Sequence, residues 1–335
     1  MSDKYYIYFN NWWGGFFNGN DKCNIEFFKK LLLHTKLKNF EVTNNSKIAN
    51  VLFETGKPND NIINSKKWKF TLIFNAEPVM PSYTNHNIII NSLTEKIYND
   101  YDYCIKNDIN TEEMGYFILD NEKKMEKKHI FIKSKHLQLG NGLWYIHGNN
   151  YYSKLKIQRN IKTIPPNFCC FLVSNPCCPI RNKMFHELNK YKKVHSGGRY
   201  CNNIGMIVPG GWMSQNHLQY ISQHKFIICF ENSLFNPFTE KIVNTYLAKT
   251  IPIYWSAKFM KNVFNPETMI FLENTTDEAY KKVIDKVIDI DNDDSKYLEM
   301  INKPLFNEEN KRFWDENFSL NALGNKINKL LDSKY

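Results

Sequence analysis

No stretch of 18 apolar residues occurs in the 335-residue chain, so nothing in it reads as a membrane-spanning helix. The opening residues, Met1-Ser-Asp-Lys-Tyr-Tyr-Ile-Tyr-Phe9, alternate like a strand and lack the apolar core of a signal peptide. A soluble, cytoplasmic protein without its own anchor is the expectation. Runs of five or six like charges are also missing, although the net charge is +10. The lysines are scattered among asparagines, isoleucines and acids. Even the dense stretch from Glu122 to Lys135 is interrupted by Glu126 and an apolar segment. Such a surface attracts anionic ligands in general, and charge alone gives little support to a nucleic-acid partner.

Cysteine spacing of the zinc-binding kind is absent as well. Eight cysteines include the adjacent pairs Cys169-Cys170 and Cys177-Cys178 but no C-x-x-C. Neighbouring cysteines seldom bridge each other. Cys169, Cys170 and Cys229 lie in apolar runs where a thiol acts as a small hydrophobe, so reduced thiols in an intracellular compartment are expected. The Asp-x-Asp spelling at Asp100-Tyr-Asp102 opens a strand, and that at Asp289-Ile-Asp291 closes a helix. Neither is a plausible metal-binding setting. No internal repeat is found.

What is present is material for packed cores: 42% hydrophobic and 15% aromatic residues. The length fits two domains of about 150 residues each. The first half predicts strands at Tyr5–Phe9, Ala49–Glu54, Lys69–Phe74, Ile88–Ile90, Tyr101–Ile105 and Ile130–Ile132. A turn is expected at Trp12-Trp13-Gly14-Gly15, and a helix from Ile25 to Leu33 with Ile25, Phe28, Leu31 and Leu32 on one face. The second half predicts strands at Phe168–Val173, Ile204–Val208, Lys225–Phe230, Ile251–Trp255 and Met269–Leu272. Helices are expected over Pro179–Tyr191, Ser214–Ile221 and Thr239–Ala248, after the capping box Thr275-Thr276-Asp277-Glu278, and from Asn307 to the end. Strands and helices alternating in this way argue for parallel sheets covered by helices. In such sheets ligands bind beyond the carboxyl ends of strands, which directs attention to the loops after Val173 and Phe230.

The apolar strand Lys225–Phe230 ends in Glu231-Asn232-Ser233, and a loop then reaches Thr239, a natural N-cap. Glu240 and Lys241 follow in the first turn of the next helix. Free amides and a partial positive charge there suit a diphosphate, and a lysine in that turn fits best beside an anion. The alternative is a solvated Glu-Lys pair opening an amphipathic helix. Thr94-Glu95-Lys96-Ile97 repeats the tetrapeptide, so only its context, behind Phe-Glu-Asn-Ser and between buried strands, singles out the second copy. Pro179 likewise opens a helix just past a strand, placing Arg181 at an exposed helix start among free amides. Arginine suits bidentate phosphate contacts; the alternative is a surface residue covering the helix.

Phe230-Glu-Asn-Ser233, Thr239-Glu-Lys241 and Ile251-Pro-Ile-Tyr-Trp255 together resemble the donor-binding signature of the α1,3/4-fucosyltransferases, glycosyltransferase family 10. Upstream, Phe168-Cys-Cys-Phe-Leu-Val-Ser-Asn-Pro176 and Pro179-Ile-Arg-Asn182 resemble the bacterial branch of that family, and Gly197-Gly198 and Phe264-Asn-Pro266 fall in their expected places. The resemblance covers Phe168 to Leu272 and thins in the first half. There Asn10-Asn11-Trp12-Trp13-Gly14 is similar to the bacterial branch. Asn75-Ala76-Glu77-Pro78-Val79-Met80-Pro81 is similar to a Gly-Glu-Asn-like turn in which Glu77 and Pro81 match.

The resemblance implies an α/β, GT-B-like fold with two Rossmann-type domains facing a cleft. It divides the chain into an acceptor-side domain (1–160), a donor-binding domain (161–306) and a helical segment (307–335) that can return to the first. The implied activity is inverting transfer of L-fucose from GDP-fucose to a glycan hydroxyl, such as O3 of an N-acetylglucosamine or glucose unit. Glu77 would be the general base. Ser174, Asn175, Arg181, Asn232, Glu240 and Lys241 would line the nucleotide-sugar site, with Arg181 and Lys241 gripping the diphosphate. No metal or other cofactor is implied. The alternatives are a transferase of the same fold using another nucleotide sugar, and a relative that binds glycan or nucleotide without turnover. Three departures bear on the sugar's identity: a loop before Glu240 shorter by one residue, Pro237-Phe238 where a tyrosine precedes Thr-Glu-Lys, and Ser256 in place of glycine.

Overall fold

The computed structural model describes residues 4–19, 21–55, 60–75, 88–91, 135–138, 141–212, 214–232, 234 and 238–332. They gather into two compact units. Residues up to Asn149 and those from Asp315 onward form one, and Asn150–Trp314 the other.

The first unit is built on six parallel strands: β1 (Tyr5–Asn10), β2 (Phe40–Val42), β3 (Val51–Thr55), β4 (Phe70–Asn75), β5 (Ile88–Asn91) and β6 (Lys135–Gln138). Their order is β2-β1-β3-β4-β5-β6. A parallel sheet is covered on both faces, and its central strands are therefore apolar throughout. Val51, Leu52, Phe53, Leu72, Ile73 and Phe74 are all buried. The helix Glu26–Leu32 buries Phe27, Phe28, Leu31 and Leu32. Beside it Phe9, Trp12, Phe16, Phe74 and Trp144 form an aromatic cluster, with Trp12 stacked 4.0 Å from Phe16 and Phe74 edge-on to Trp144 at 5.0 Å.

Burial of Phe16 in this cluster explains one difference from the sequence expectation. Gly14 opens a short helix, Gly14–Asn18, where a simple turn was expected. The helix Leu320–Asp332 packs on Glu26–Leu32 and buries Leu323 and Ile327. Gly324 permits the approach, since a Cβ there would lie 2.4 Å from the His34 carbonyl oxygen.

The second unit carries five parallel strands: β7 (Asn167–Phe171), β8 (Val194–Ser196), β9 (His224–Phe230), β10 (Ile251–Trp255) and β11 (Ile270–Phe271). Their order is β11-β10-β9-β7-β8. The helix Pro179–Tyr191 turns Ile180, Met184, Phe185 and Leu188 onto this sheet, as its periodicity predicts. Ser214, Thr239 and Thr276 each cap the helix that follows them, accepting from backbone amides of that helix's first turn.

The strand expected at Ile204–Val208 is not formed; the edge strand is Val194–Ser196 instead. Gly205, Gly210 and Gly211 take φ of +77°, +89° and +73°, so this segment turns where a strand would extend. The helix expected to run unbroken from Asn307 is two, Glu308–Asn317 and Leu320–Asp332. Ser319 divides them, donating to the Asp315 carbonyl and accepting from the Ala322 amide. The strands expected at Tyr101–Ile105 and Ile130–Ile132 lie outside the described residues. The units divide after Asn149 and after Trp314, and stacking of Tyr152 on Trp314 at 4.8 Å ties those two stretches together.

Among the described residues no helix is long and apolar enough to cross a membrane. Cys169, Cys170 and Cys229 are free thiols buried in the second core.

Candidate functional site

In the second sheet the chain runs from β7 outward to β8 and then returns to the other side of β7 as β9. The carboxyl ends of β7 and β9 therefore flank the topological switch point, where the two following loops diverge and leave a crevice. Arg181, from the first turn of the helix after β7, spans this crevice. Its Nη1 donates to Asn232 Oδ1 at 2.9 Å and its Nη2 to the Asn175 carbonyl at 3.0 Å. The side chain is buried, with only 4% of the residue's surface exposed, which corrects the expectation of an exposed helix start. Its Nε is buried and has no partner among the described residues. Burial lowers the guanidinium pKa, opposed by the nearby Cys178 thiol and Glu231 carboxylate.

Glu231, the first residue after β9, is completely buried. Its Oε1 accepts from the Thr239 amide at 2.9 Å and from Tyr254 OH at 3.1 Å. Its Oε2 accepts from Thr239 Oγ1 at 2.7 Å and faces Lys241 Nζ at 3.5 Å. Four donors on two oxygens suit a carboxylate. Thr239 thus fixes Glu231 while capping Glu240–Leu247 through the Lys241 amide.

Lys241 Nζ also lies 3.1 Å from Thr239 Oγ1 and 3.7 Å from Glu240 Oε1. Burial lowers its pKa, but the Glu240 and Glu231 carboxylates outweigh that and hold it above the ordinary value. The anion that a first-turn lysine calls for is thus supplied by Glu231, within the protein. Lys241 remains 28% exposed at its side chain and so keeps a face toward the crevice.

A cavity of about 90 Å³ opens here, lined by Arg181, Lys241, Glu240, Asn244, Trp212 and His217 among others. Of the residues predicted from sequence, Arg181 and Asn232 are joined directly, and Glu240 and Lys241 open the adjoining helix. Asn175 reaches the group through its carbonyl, and Ser174 is exposed in the same loop. Glu77 and the Thr94-Glu95-Lys96 copy lie outside the described residues; β4 ends two residues before Glu77, at Asn75.

Glu231, Tyr254, Trp212 and His217 were not assigned to the site by sequence. For Glu231 a signal existed, because it is the first charged side chain after an apolar strand. A larger cavity, about 820 Å³, lies beside β11 at the far edge of the sheet, rimmed by lysines and glutamates such as Lys303 and Glu267, and none of the candidate residues lines it. Among the described residues no cluster of three or more His, Cys, Asp or Glu side chains is placed to hold a metal ion.

Fold and site define a doubly wound parallel α/β unit with two cations beside helix N-termini at its switch point. Residues 166–332 match the C-terminal family model of glycosyltransferase family 10 (fucosyltransferase), and this half of the chain belongs to that family. The α-(1,3)-fucosyltransferase FucT of Helicobacter pylori is 32% identical over 158 residues, which are 47% of this chain and 31% of that protein. The chain thus spans less than a third of the length of that relative. A solved crystal structure of an α1,3-fucosyltransferase superposes with a TM-score of 0.61 at 21% identity, covering 99% of this chain and 91% of the other. A crystal structure of α1,3-fucosyltransferase with GDP-fucose gives 0.58 at 21% identity, covering 100% and 93%. The fold is therefore that of the GT-B fucosyltransferase structures, with two parallel sheets in two Rossmann-like units.

Proposed function

We propose that the chain is an inverting, metal-independent glycosyltransferase that moves L-fucose from GDP-fucose to a glycan hydroxyl, O3 of an N-acetylglucosamine or glucose unit. The observation that carries this is Arg181, buried across the switch point with an unpartnered Nε and with Lys241 beside the same cavity. Bringing a guanidinium into such a position is costly unless it serves an anion. The match to family 10 and the relative named for α-(1,3) transfer support fucose as the sugar.

In this proposal the diphosphate lies against Arg181, Lys241 and the amides opening Pro179–Tyr191 and Glu240–Leu247. Negative charge growing on departing GDP is stabilised by groups already in place. Asn232, Asn175, Ser174 and Glu240 contact the rest of the nucleotide sugar. Glu77 takes the proton of the acceptor hydroxyl as it attacks the anomeric carbon from the side opposite GDP.

The test is a screen of nucleotide sugars for donor hydrolysis, followed by transfer to glycan acceptors with and without a chelator. GDP-fucose should be the donor consumed, and transfer should persist in EDTA. Consumption of a different nucleotide sugar in its place would replace the assignment.

A further inference from the structure

The cavity at the switch point, about 90 Å³, is far smaller than the ~300–1,000 Å³ that whole ligands of drug size occupy. It has room for a charged group and leaves the bulk of any nucleotide on the surface beside it. Trp212 and His217 line the same cavity as Glu240 and Lys241. Trp212 keeps 42% of its surface exposed, a large aromatic at the edge of the cavity. Burial lowers the pKa of His217, so it adds no third cation beside Arg181 and Lys241.

The position of Trp212 is built. Asn244, itself 4% exposed, donates from Nδ2 to the Trp212 carbonyl at 2.8 Å. Asn244 belongs to Glu240–Leu247, the helix whose first turn carries Glu240 and Lys241. On the other side, Ser214 Oγ donates to the Gly211 carbonyl at 2.8 Å. A Cβ on Gly210 would come within 2.7 Å of Ser214, so the turn leading to Trp212 closes only with glycine. The helix that carries Lys241 therefore also fixes the aromatic residue beside it.

We propose that Trp212 is the platform on which the planar base of the bound nucleotide stacks, its phosphates directed to Arg181 and Lys241. This rests on the nucleotide-sugar reading of the site given above. Stacking on an aromatic face draws on the apolar area and π-system of a base and tolerates different bases. Selection among nucleotides is therefore left to other contacts.

Calorimetric titration of GDP and of inorganic pyrophosphate into wild type, Trp212→Ala and Trp212→Phe tests the proposal. Only the backbone carbonyl of Trp212 is used by Asn244, so both variants keep that anchor. Trp212→Ala should weaken GDP about tenfold or more, while Trp212→Phe stays near wild type. Pyrophosphate, which has no base, should bind all three alike. GDP binding unchanged in Trp212→Ala, or pyrophosphate weakened as much as GDP, overturns the platform. Failure of the wild type to bind GDP overturns the GDP-sugar reading of the site and the platform with it.

Discussion

Lys241 Nζ stands 3.5 Å from Glu231 Oε2, so a lysine in the first turn of a helix is paired with the carboxylate ending the preceding strand. A cation at the positive end of a helix is ordinarily unfavourable. Glu231 removes that penalty and, through Thr239 and Tyr254, joins β9, β10 and the helix N-terminus in one hydrogen-bonded group. The cation is thereby held at the crevice whether or not a ligand is there.

Glu231→Gln should therefore destabilise the protein even though the side chain keeps its size. An amide NH₂ would face donors where a carboxylate oxygen now accepts, at a cost of about 1–3 kcal/mol. Tyr254→Phe removes only one donor and should cost less, about 0.5–1.5 kcal/mol. Urea unfolding of both variants checks the order. Equal losses would mean that the Tyr254 contact, not the charge, anchors the group.

Arg181 is buried, so Arg181→Ala should reduce stability as well as GDP affinity. Losing charge-assisted contacts to phosphate should weaken GDP by about 1.5–3 kcal/mol, roughly 10- to 100-fold. Arg181→Lys keeps the charge but cannot span Asn232 and Asn175 together, and should fall between. Lys96→Ala, in the other Thr-Glu-Lys, serves as the control and should leave GDP affinity unchanged. GDP titrations on folded protein decide it; undiminished affinity in Arg181→Ala would remove the diphosphate from this crevice.

Glu77→Gln separates an enzyme from a nucleotide-binding relative. The amide keeps the side chain's shape but cannot take a proton, and general-base catalysis is worth about 10²–10⁴-fold. The expected result is a fall in kcat of that order with little change in GDP affinity. Glu240→Gln should show the reverse emphasis. Steady-state rates on one acceptor check both, and a near-normal kcat in Glu77→Gln would place the base elsewhere.

The second unit was legible because each of its signals is local. The apolar strands at β9 and β10, the N-caps Thr239 and Thr276, and Pro179 each mark one element, and those elements form where predicted. β8 was misplaced because Val194–Ser196 is only three residues long, while Ile204–Val208 has the composition of a strand. What stops that stretch is the left-handed conformation of Gly205 within it and of Gly210 and Gly211 just after it, a property of backbone rather than of pattern. Arg181 was found but given the wrong environment. Its burial depends on Asn232, 51 positions away, and no periodicity reports such a contact.

The last prediction concerns pH and rests on two buried imidazoles. His147, packed in the first unit, has its pKa pushed down to about 4 by burial, with Lys30 and His34 adding to that and the Phe318 carbonyl opposing it. Its Nε2 donates to that carbonyl at 2.7 Å, the neutral tautomer in place. His224, at the start of β9, is also held at about 4, chiefly by burial. Its Nδ1 donates to the Tyr220 carbonyl, leaving Nε2 to accept from His195 Nδ1 at 3.1 Å. Protonating His224 would set one N–H against another.

Between the ordinary value of 6.5 and about 4, each ring binds a proton more readily unfolded than folded. Their contribution is therefore fully present above about pH 6.5 and is lost as pH falls toward 4, at up to about 1.4 kcal/mol per pH unit for each ring. The variant His147→Gln/His224→Gln retains amide donors but does not titrate. Unfolding free energies across pH 4–7 should fall less steeply for it than for wild type. Parallel curves would show that neither imidazole is buried neutral, and that acid lability comes from the carboxylates alone.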